Sequence, residues 1–321
     1  MEVFALPLQT RYEPVRAKQL LNPVKAPSMP FDWSINPYRG CQHGCSFCYA
    51  RSTHAFLGME ADDTFQHHIL YKDNAPEALQ AQVERTLRAK SGRSRLGRIA
   101  IGTATDPYQP LEGRLKLTRQ CLEVLAAYRL PVSITTRSPL ILRDIDLLRK
   151  LPGSSVNISL NTLDKRIWRS FEPMSPAPAQ RIKALQGLRQ EGIEAGIFMA
   201  PILPFLTDQT EDMEQVVEQA AEAKACFVMG SVLRLNTAEV KSWFFGTLRQ
   251  AYPRLVGSYA DWYGHSPTAP KAYREQIRSQ LARLLERAGI PAYMPEGGAK
   301  PIQAESPEDD KPVQLAFALD L

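Results

Sequence analysis

Between residues 31 and 235, short apolar runs alternate with longer segments of helical periodicity, and this alternation restricts the fold more than any other feature of the chain. The strand-like runs are FDWSINPY from Phe31, RIAIGTAT from Arg98, PVSITT from Pro131, SVNISLNT from Ser155, EAGIFMAPIL from Glu194 and CFVMGSVLRL from Cys226. The segments APEALQAQVERTLRAK, LTRQCLEVLAAYR, DIDLLRKL, PAQRIKALQGLRQEG and QTEDMEQVVEQAAEA between them read as helices. In the fourth, Ile182, Leu185 and Leu188 recur at a spacing of three and Gly192 closes the end, as a helix with one buried stripe requires. Six strands separated by helices, each a nearly continuous apolar run, predict an α/β fold with a parallel sheet buried on both faces. An open doubly wound sheet and a curved partial barrel both satisfy the pattern. The polar segments TATDPYQP, TTRS, SLNTLD and APILP fall at strand C-terminal ends, where parallel α/β folds carry their chemistry. Several strand ends are therefore expected to converge on one mouth.

The flanks read differently. Residues 1–30 are proline-punctuated and weakly patterned, and are expected to form an arm wrapping the 31–235 core. Residues 236–300 change to two long amphipathic helices, NTAEVKSWFFGTLRQAY and APKAYREQIRSQLARLLERAG, joined by an aromatic loop GSYADWYGHSP. This predicts a helical extension rather than a second catalytic domain, followed by a flexible tail over 301–321. With 44% hydrophobic and 23% charged residues the composition is that of a soluble globular protein. There is no run of about 18 apolar residues for a membrane span, and MEVFALPLQTRYEP lacks the basic start and apolar stretch of a signal peptide. A cytoplasmic protein with no membrane partner is the expectation. The net charge of +5 is mild. The segment RTLRAKSGRSRLGR, Arg85 to Arg98, is basic and contains no acid; it could neutralise phosphates, although the solvated end of a helix and its loop explains it more simply.

Three of the five cysteines, Cys41, Cys45 and Cys48, lie within SINPYRGCQHGCSFCYAR, on a loop expected to turn at Gly40 and Gly44. An odd count, clustered as three with two singles, makes no disulfide framework and suits a reducing compartment and a metal or catalytic role. Structural zinc and an ordinary four-iron cluster each want four protein ligands, so three thiolates leave one coordination position open for a substrate or cosubstrate. Two other readings fit the spacing: zinc completed by His43 or His54, and plain burial of small apolar side chains.

The pattern C-x3-C-x-Φ-C, here CQHGCSFC with Phe47 before the last cysteine, resembles the signature of the radical S-adenosylmethionine (SAM) superfamily. The flanks NPYRGC and CYAR are similar to its spore photoproduct lyase-like branch, and the likeness continues through GTATDPYQPLE, SPLILRDIDLL, SLNTLD, FEP and APILP. The resemblance implies a partial (β/α)6 TIM-like barrel with an N-terminal arm and a C-terminal helical extension. It implies that Cys41, Cys45 and Cys48 bind three irons of a [4Fe-4S] cluster whose fourth iron is chelated by SAM. Reductive cleavage of the sulfonium would then give methionine and a 5′-deoxyadenosyl radical that abstracts hydrogen from the substrate. By the same resemblance Phe47 and Tyr49 pack near the adenine and the floor of the site, Thr105 receives the methionine amino group, Arg137 replaces a lysine that meets the SAM carboxylate, Ser159 faces that carboxylate with Asn161 two residues on, and the backbone of Ala200 lies by the adenine. Asp106, before Pro107, suits a turn or a cap as well as a ligand contact.

Two departures from the lyases bear on the substrate. Thr103 stands where they carry a hydrogen-donor cysteine, and Phe47 where they carry a tyrosine, so repair of a thymine dimer by the same route is not expected. Cys121 and Cys226 read as core thiols. The resemblance also implies a reductase or flavodoxin-type electron donor and leaves a nucleic acid base or a small molecule as substrate. The aromatic residues Trp262 and Tyr263 join the basic run as features compatible with nucleic acid. The tail KPVQLAFALDL loosely resembles peptides that bind sliding clamps, with Gln314, Leu315 and Phe317 as anchors, although a tail docked on its own barrel explains it more simply. The competing reading of the whole chain is a non-catalytic zinc- or cluster-binding module associated with a clamp or nucleic acid.

Overall fold

The computed structural model describes residues 9–25, 29–58, 62–89 and 92–291. At its centre six parallel strands follow chain order: β1 (Trp33–Ile35), β2 (Ile99–Ile101), β3 (Val132–Thr136), β4 (Ser155–Ser159), β5 (Glu194–Ile202) and β6 (Val228–Val232), each paired with the next. An order without reversal separates the two architectures that the alternation leaves open. A doubly wound sheet reverses at a switch point; this sheet has none, and right-handed crossovers then carry every connecting helix to the same face. The winding is that of a (β/α) barrel stopped at six strands. It stays open, with the short strand Asn22–Pro23 pairing antiparallel to β1 at one edge and β6 forming the other.

The two faces of the sheet have different chemistry. Val132, Ile134, Val156 and Ile158, with Ala195 and Ile197 of β5, share one core with Leu122 and Leu125 of the helix Leu117–Ala127 and Leu185 and Leu188 of the helix Pro178–Gln190. The alternate residues Ser133, Thr135, Ser155, Asn157 and Ser159 face the other way, and Asn157 Nδ2 donates to Ser133 Oγ and Thr135 Oγ1, both at 3.2 Å. The expectation of strands apolar on both faces is thus corrected. β3 and β4 alternate with period two, and their helix-free face is buried but polar. β6 is corrected as well: only Val228 in it is buried, because it is an edge strand, and Cys226 lies two residues before it and is half-buried. Cys121 is fully buried in the main core.

The flanking segments fold onto this frame. Arg11–Val15 pairs in parallel with His68–Lys72, and Tyr38–Arg39 pairs antiparallel with it, giving a separate three-stranded sheet beside the cysteine loop. Leu20 and Leu21 enter the main core, with both their N–H groups donating to Oε1 of buried Gln82 on the helix Ala75–Leu87. Beyond β6, the helix Ala238–Ala251 packs Phe244 and Phe245 into a second core with Cys45, Phe47 and Phe171. The helix Lys271–Arg287 lies over β6, where a Cβ on Gly230 would come within 2.4 Å of Leu281 Cδ2. The segment expected as an aromatic loop contains a helix, Val256–Tyr263. Its Tyr259 and Tyr263, one turn apart, are buried and donate to the carbonyls of Pro204 (2.5 Å) and Leu233 (3.0 Å). Among the described residues no helix is long and apolar enough to cross a membrane. The end of the expected extension from 292 and the whole 301–321 tail, with Gln314, Leu315 and Phe317, lie outside the described residues.

Candidate functional site

From β1 the chain passes through Asn36 and Tyr38–Arg39 into the cysteine loop, which turns where left-handed backbone is needed, at Gly40 (φ +80°) and Gly44 (φ +65°). A Cβ on Gly40 would stand 2.8 Å from the His68 carbonyl oxygen and 2.9 Å from that of Phe65, so only glycine fits there. The loop is pinned from several elements. Cys41 N donates to Phe65 O (3.0 Å) and Ser46 N to Phe171 O (2.8 Å). Gly40 O accepts from Thr105 Oγ1 (2.6 Å) and Gln109 Nε2 (3.2 Å), both in the segment after β2. The Thr105 hydroxyl, expected to meet the SAM amino group, thus spends its single donor on the cysteine loop.

The three thiols are free, Cys41 and Cys45 buried and Cys48 half-buried. Burial, reinforced by Asp106 and Cys48, pushes the Cys41 thiol up to about 12. Burial also pushes Cys45 up, against the opposing charge of Arg137. Both are protonated thiols near neutral pH, and a metal that binds them must displace the protons. Phe47 is buried, with the Arg137 guanidinium 5.9 Å from its ring centre. Tyr49, by contrast, is 42% exposed and donates from its hydroxyl to the carbonyl of Thr103, at the end of β2.

Asp106 ties three strand ends together. Its Oδ1 accepts from Tyr108 N (2.9 Å) and Thr136 Oγ1 (2.6 Å), and its Oδ2 accepts from Arg137 N (2.8 Å) and lies 3.2 Å from His43 Nε2 in the cysteine loop. Burial alone would raise its pKa; the His43 ring and these hydrogen bonds outweigh burial and hold it at about 2. Arg137 follows β3 directly, 3.5 Å from Glu172 Oε2 through an Nε that makes no hydrogen bond. Burial works against its charge, but the carboxylates of Glu172 and Asp106 raise its pKa above the ordinary arginine value.

Glu172 in turn is paired with Arg181, both 1% exposed. Arg181 also donates to Ser159 O at the end of β4 (3.0 Å), and Ser175 Oγ bonds Glu172 Oε2 at 3.0 Å. Asn161 is buried just past β4, and Ala200 is half-buried within β5. The structure therefore brings Phe47, Arg137 and Ser159 to one network with the cysteine loop, with Thr105 bracing the loop from the segment after β2 and Tyr49 reaching from beside Cys48 to Thr103 in that segment.

Sequence reasoning did not find Glu172, Arg181 or Arg51. Arg51 is fully buried, its guanidinium 4.3 Å from the Trp243 ring centre and 5.4 Å from that of Phe65, donating to Asp62 O while Nε and Nη2 have no partner. The signal that exists is its place three residues after Cys48, but nothing local announces the burial. Neither feature considered for nucleic acid lies open at the site. The basic run leads into the N-terminal end of β2, the end opposite the cysteine loop, and Arg93 in it donates to the carbonyls of Tyr128 and Arg129 at 3.2 Å. Tyr263 is buried, and Trp262 is wedged between Phe205 and Tyr273 with ring centres 4.6 Å from each.

Comparisons with known proteins bear on the family and the fold. The family model described as Radical SAM superfamily matches residues 35–220. An uncharacterized protein of Mycobacterium tuberculosis (strain H37Rv) is 34% identical over 312 residues, 95% of this chain and 88% of the relative. The Radical SAM Nalpha-GlyT isomerase of Pseudomonas phage M6 is 28% identical over 186 residues, 58% of this chain and 36% of the isomerase. A solved spore photoproduct lyase variant, with AdoMet and dinucleoside spore photoproduct bound, superposes with a TM-score of 0.66 at 16% identity, covering 88% of this chain and 80% of that one.

Proposed function

The chain belongs to the radical SAM superfamily, and from that premise we propose that Cys41, Cys45 and Cys48 bind three irons of a [4Fe-4S] cluster whose fourth iron is left for SAM. Membership makes it an enzyme that uses SAM and an iron–sulfur cluster. The observation that carries the assignment is the loop: three free thiols on one glycine-turned segment, pinned beside the ends of β2 and β3. The donors suit the group. The zinc reading needs His43 or His54 as a further ligand, and both rings face other partners. His43 Nδ1 lies 3.4 Å from Met174 O and its Nε2 faces Asp106, while His54 Nε2 lies 3.1 Å from His68 O. A four-iron cluster takes one thiolate per iron, which spreads its ligands.

When bound, SAM and the cluster supply reductive cleavage of the sulfonium and a 5′-deoxyadenosyl radical for hydrogen abstraction. The chain's own residues bind and orient. Arg137, with an unengaged Nε, receives the SAM carboxylate in company with Ser159 and Asn161. Phe47 packs against the adenine and the backbone of Ala200 lies beside it, and Thr105 and Asp106 fix the loop from below.

For the substrate we infer an aromatic ring of nucleobase type, free or within nucleic acid. Two observations support it. Tyr49, Met174 and Phe205, three of the five exposed large hydrophobics among the described residues, all lie on segments that follow strand C-terminal ends. The spore photoproduct lyase of similar fold holds a dinucleoside. A reductase or flavodoxin-type electron donor is part of the same proposal. A clamp contact through Gln314, Leu315 and Phe317 rests on the peptide alone.

Replacing Cys41, Cys45 or Cys48 singly with Ala is expected to abolish the cluster and SAM cleavage together, read by iron content and electron paramagnetic resonance after anaerobic reconstitution. A variant that keeps a full cluster would remove that cysteine from the site.

A further inference from the structure

A small polar cavity lies beside the cysteine loop, lined by Asn22, Asn36, Arg39, Thr53, Lys72 and Ala104 among others. The three-stranded sheet builds its charged side. Arg39 lies opposite Leu70 in the antiparallel pair, and Lys72, two residues further along, shares that face. Both cations are half-buried, and among the described residues neither side chain has an ion-pair or hydrogen-bond partner. Among the described residues no carboxylate lines the cavity. Burial, with the Arg39 charge adding to it, lowers Lys72 to about 8. Two neighbouring cations withdrawn from water without a counter-charge are costly unless an anion joins them.

The neutral walls are already committed. Asn36 donates from Nδ2 to Thr103 Oγ1 (3.0 Å) and accepts at Oδ1 from Ala104 N (2.9 Å). Asn22 Nδ2 donates to the carbonyls of Leu20 (3.1 Å) and Ser34 (3.4 Å), and Thr53 Oγ1 to that of Ala50 (2.6 Å). The shape is therefore fixed, and Arg39 and Lys72 are the donors left over. The room open to the centre of a water molecule is about 50 Å³. About 10–15 Å³ suffices for one water, so the cavity takes a few waters or one oxyanion and not a nucleoside.

We propose that this cavity is an oxyanion pocket in which Arg39 and Lys72 seat a phosphate or carboxylate group of the substrate. That the anion belongs to a substrate rests on the radical SAM reading; the pocket itself does not. Its position gives it that use. Through Asn36 the cavity adjoins Thr103, whose carbonyl meets Tyr49 next to Cys48. An anion held there anchors a substrate on the β1 side of the mouth, while Arg137 and Ser159, after β3 and in β4, serve the carboxylate of SAM from the other side. A nucleotide, with its phosphate in the pocket and its base toward the cysteine loop, is the ligand class that uses both features.

The test is calorimetric titration of inorganic phosphate, and separately of acetate, into the cluster-free chain as wild type, Arg39→Gln and Lys72→Met. One phosphate site is expected in the wild type, weakened about tenfold or more in each variant by loss of a charge-assisted hydrogen bond. Acetate competing at the same site would mark a carboxylate ligand, and phosphate alone a phosphate ligand. Because the two cations have no partners to lose, both variants should melt at or above the wild-type temperature, which separates lost binding from lost folding. Absence of binding to the wild type, or equal binding by the variants, overturns the pocket. Because the cluster-free chain is used, failure of the reconstituted enzyme to cleave SAM would count against the proposed function and leave the titration standing.

Discussion

Arg137 is the residue on which the SAM assignment turns, because its neighbours hold it charged while leaving part of it unengaged. Glu172 and Asp106 supply the countercharge, and Nε has no hydrogen bond. Arg137→Ala is expected to weaken SAM binding to the reconstituted enzyme about tenfold or more, the cost of one charge-assisted contact, with iron content unchanged. Equilibrium dialysis with labelled SAM measures it, and unaltered affinity would take Arg137 out of the site. At this scale the sequence was legible where chemistry is written locally. Three cysteines within eight residues and two glycines at φ > 0 need no tertiary information. Glu172, Arg181 and Arg51 were not legible, because a buried charge is identified by its partners, and Arg181 meets Ser159 across 22 residues of chain. The same holds for Thr105, whose hydroxyl serves Gly40, 65 residues away.

At the scale of elements, the segment after β4 is held to the sheet by the Glu172–Arg181 pair. Burial alone would raise the Glu172 pKa, but Arg181, Arg137 and the bond from Ser175 hold it at about 2 against an ordinary 4.5. A carboxylate depressed on folding contributes stability that is complete above its unfolded value and disappears as pH falls through the folded one. Glu172→Gln in the cluster-free protein is expected to cost about 3 kcal/mol at pH 7. In urea unfolding the difference from wild type should shrink as pH drops from 4.5 toward 2. A difference independent of pH over that range would show that the pair contributes nothing through its charge.

The strands and most helices were readable from periodicity, since β1 to β6 all fall inside the apolar runs. The polar inner face was missed although VSITT and SVNIS alternate openly, because the alternation runs polar toward a buried interior instead of toward water. The helix Val256–Tyr263 was missed because aromatic and glycine content suggested a loop, whereas Tyr259 and Tyr263 recur at four, the helical spacing.

At the scale of the whole molecule, described segments on both flanks of the core reach the site. The N-terminal strand Arg11–Val15 braces His68–Lys72, which carries one wall of the proposed anion pocket, and the helix Ala238–Ala251 packs on Cys45 and Phe47. The relative from Mycobacterium tuberculosis matches over 95% of the chain, flanks included, whereas the phage isomerase matches over 58%. Chain order within the sheet could not be read from the alternation, because strand adjacency is a tertiary property; it is the unbroken order of β1 to β6 that makes the sheet a barrel segment. The most direct measurement is 5′-deoxyadenosine release from SAM by the anaerobically reconstituted enzyme with dithionite. About four irons per chain, as a single four-iron cluster requires, and formation of 5′-deoxyadenosine that fails in the Cys41, Cys45 and Cys48 variants are the predicted result. Zinc at the three cysteines, with SAM left intact, would contradict the account.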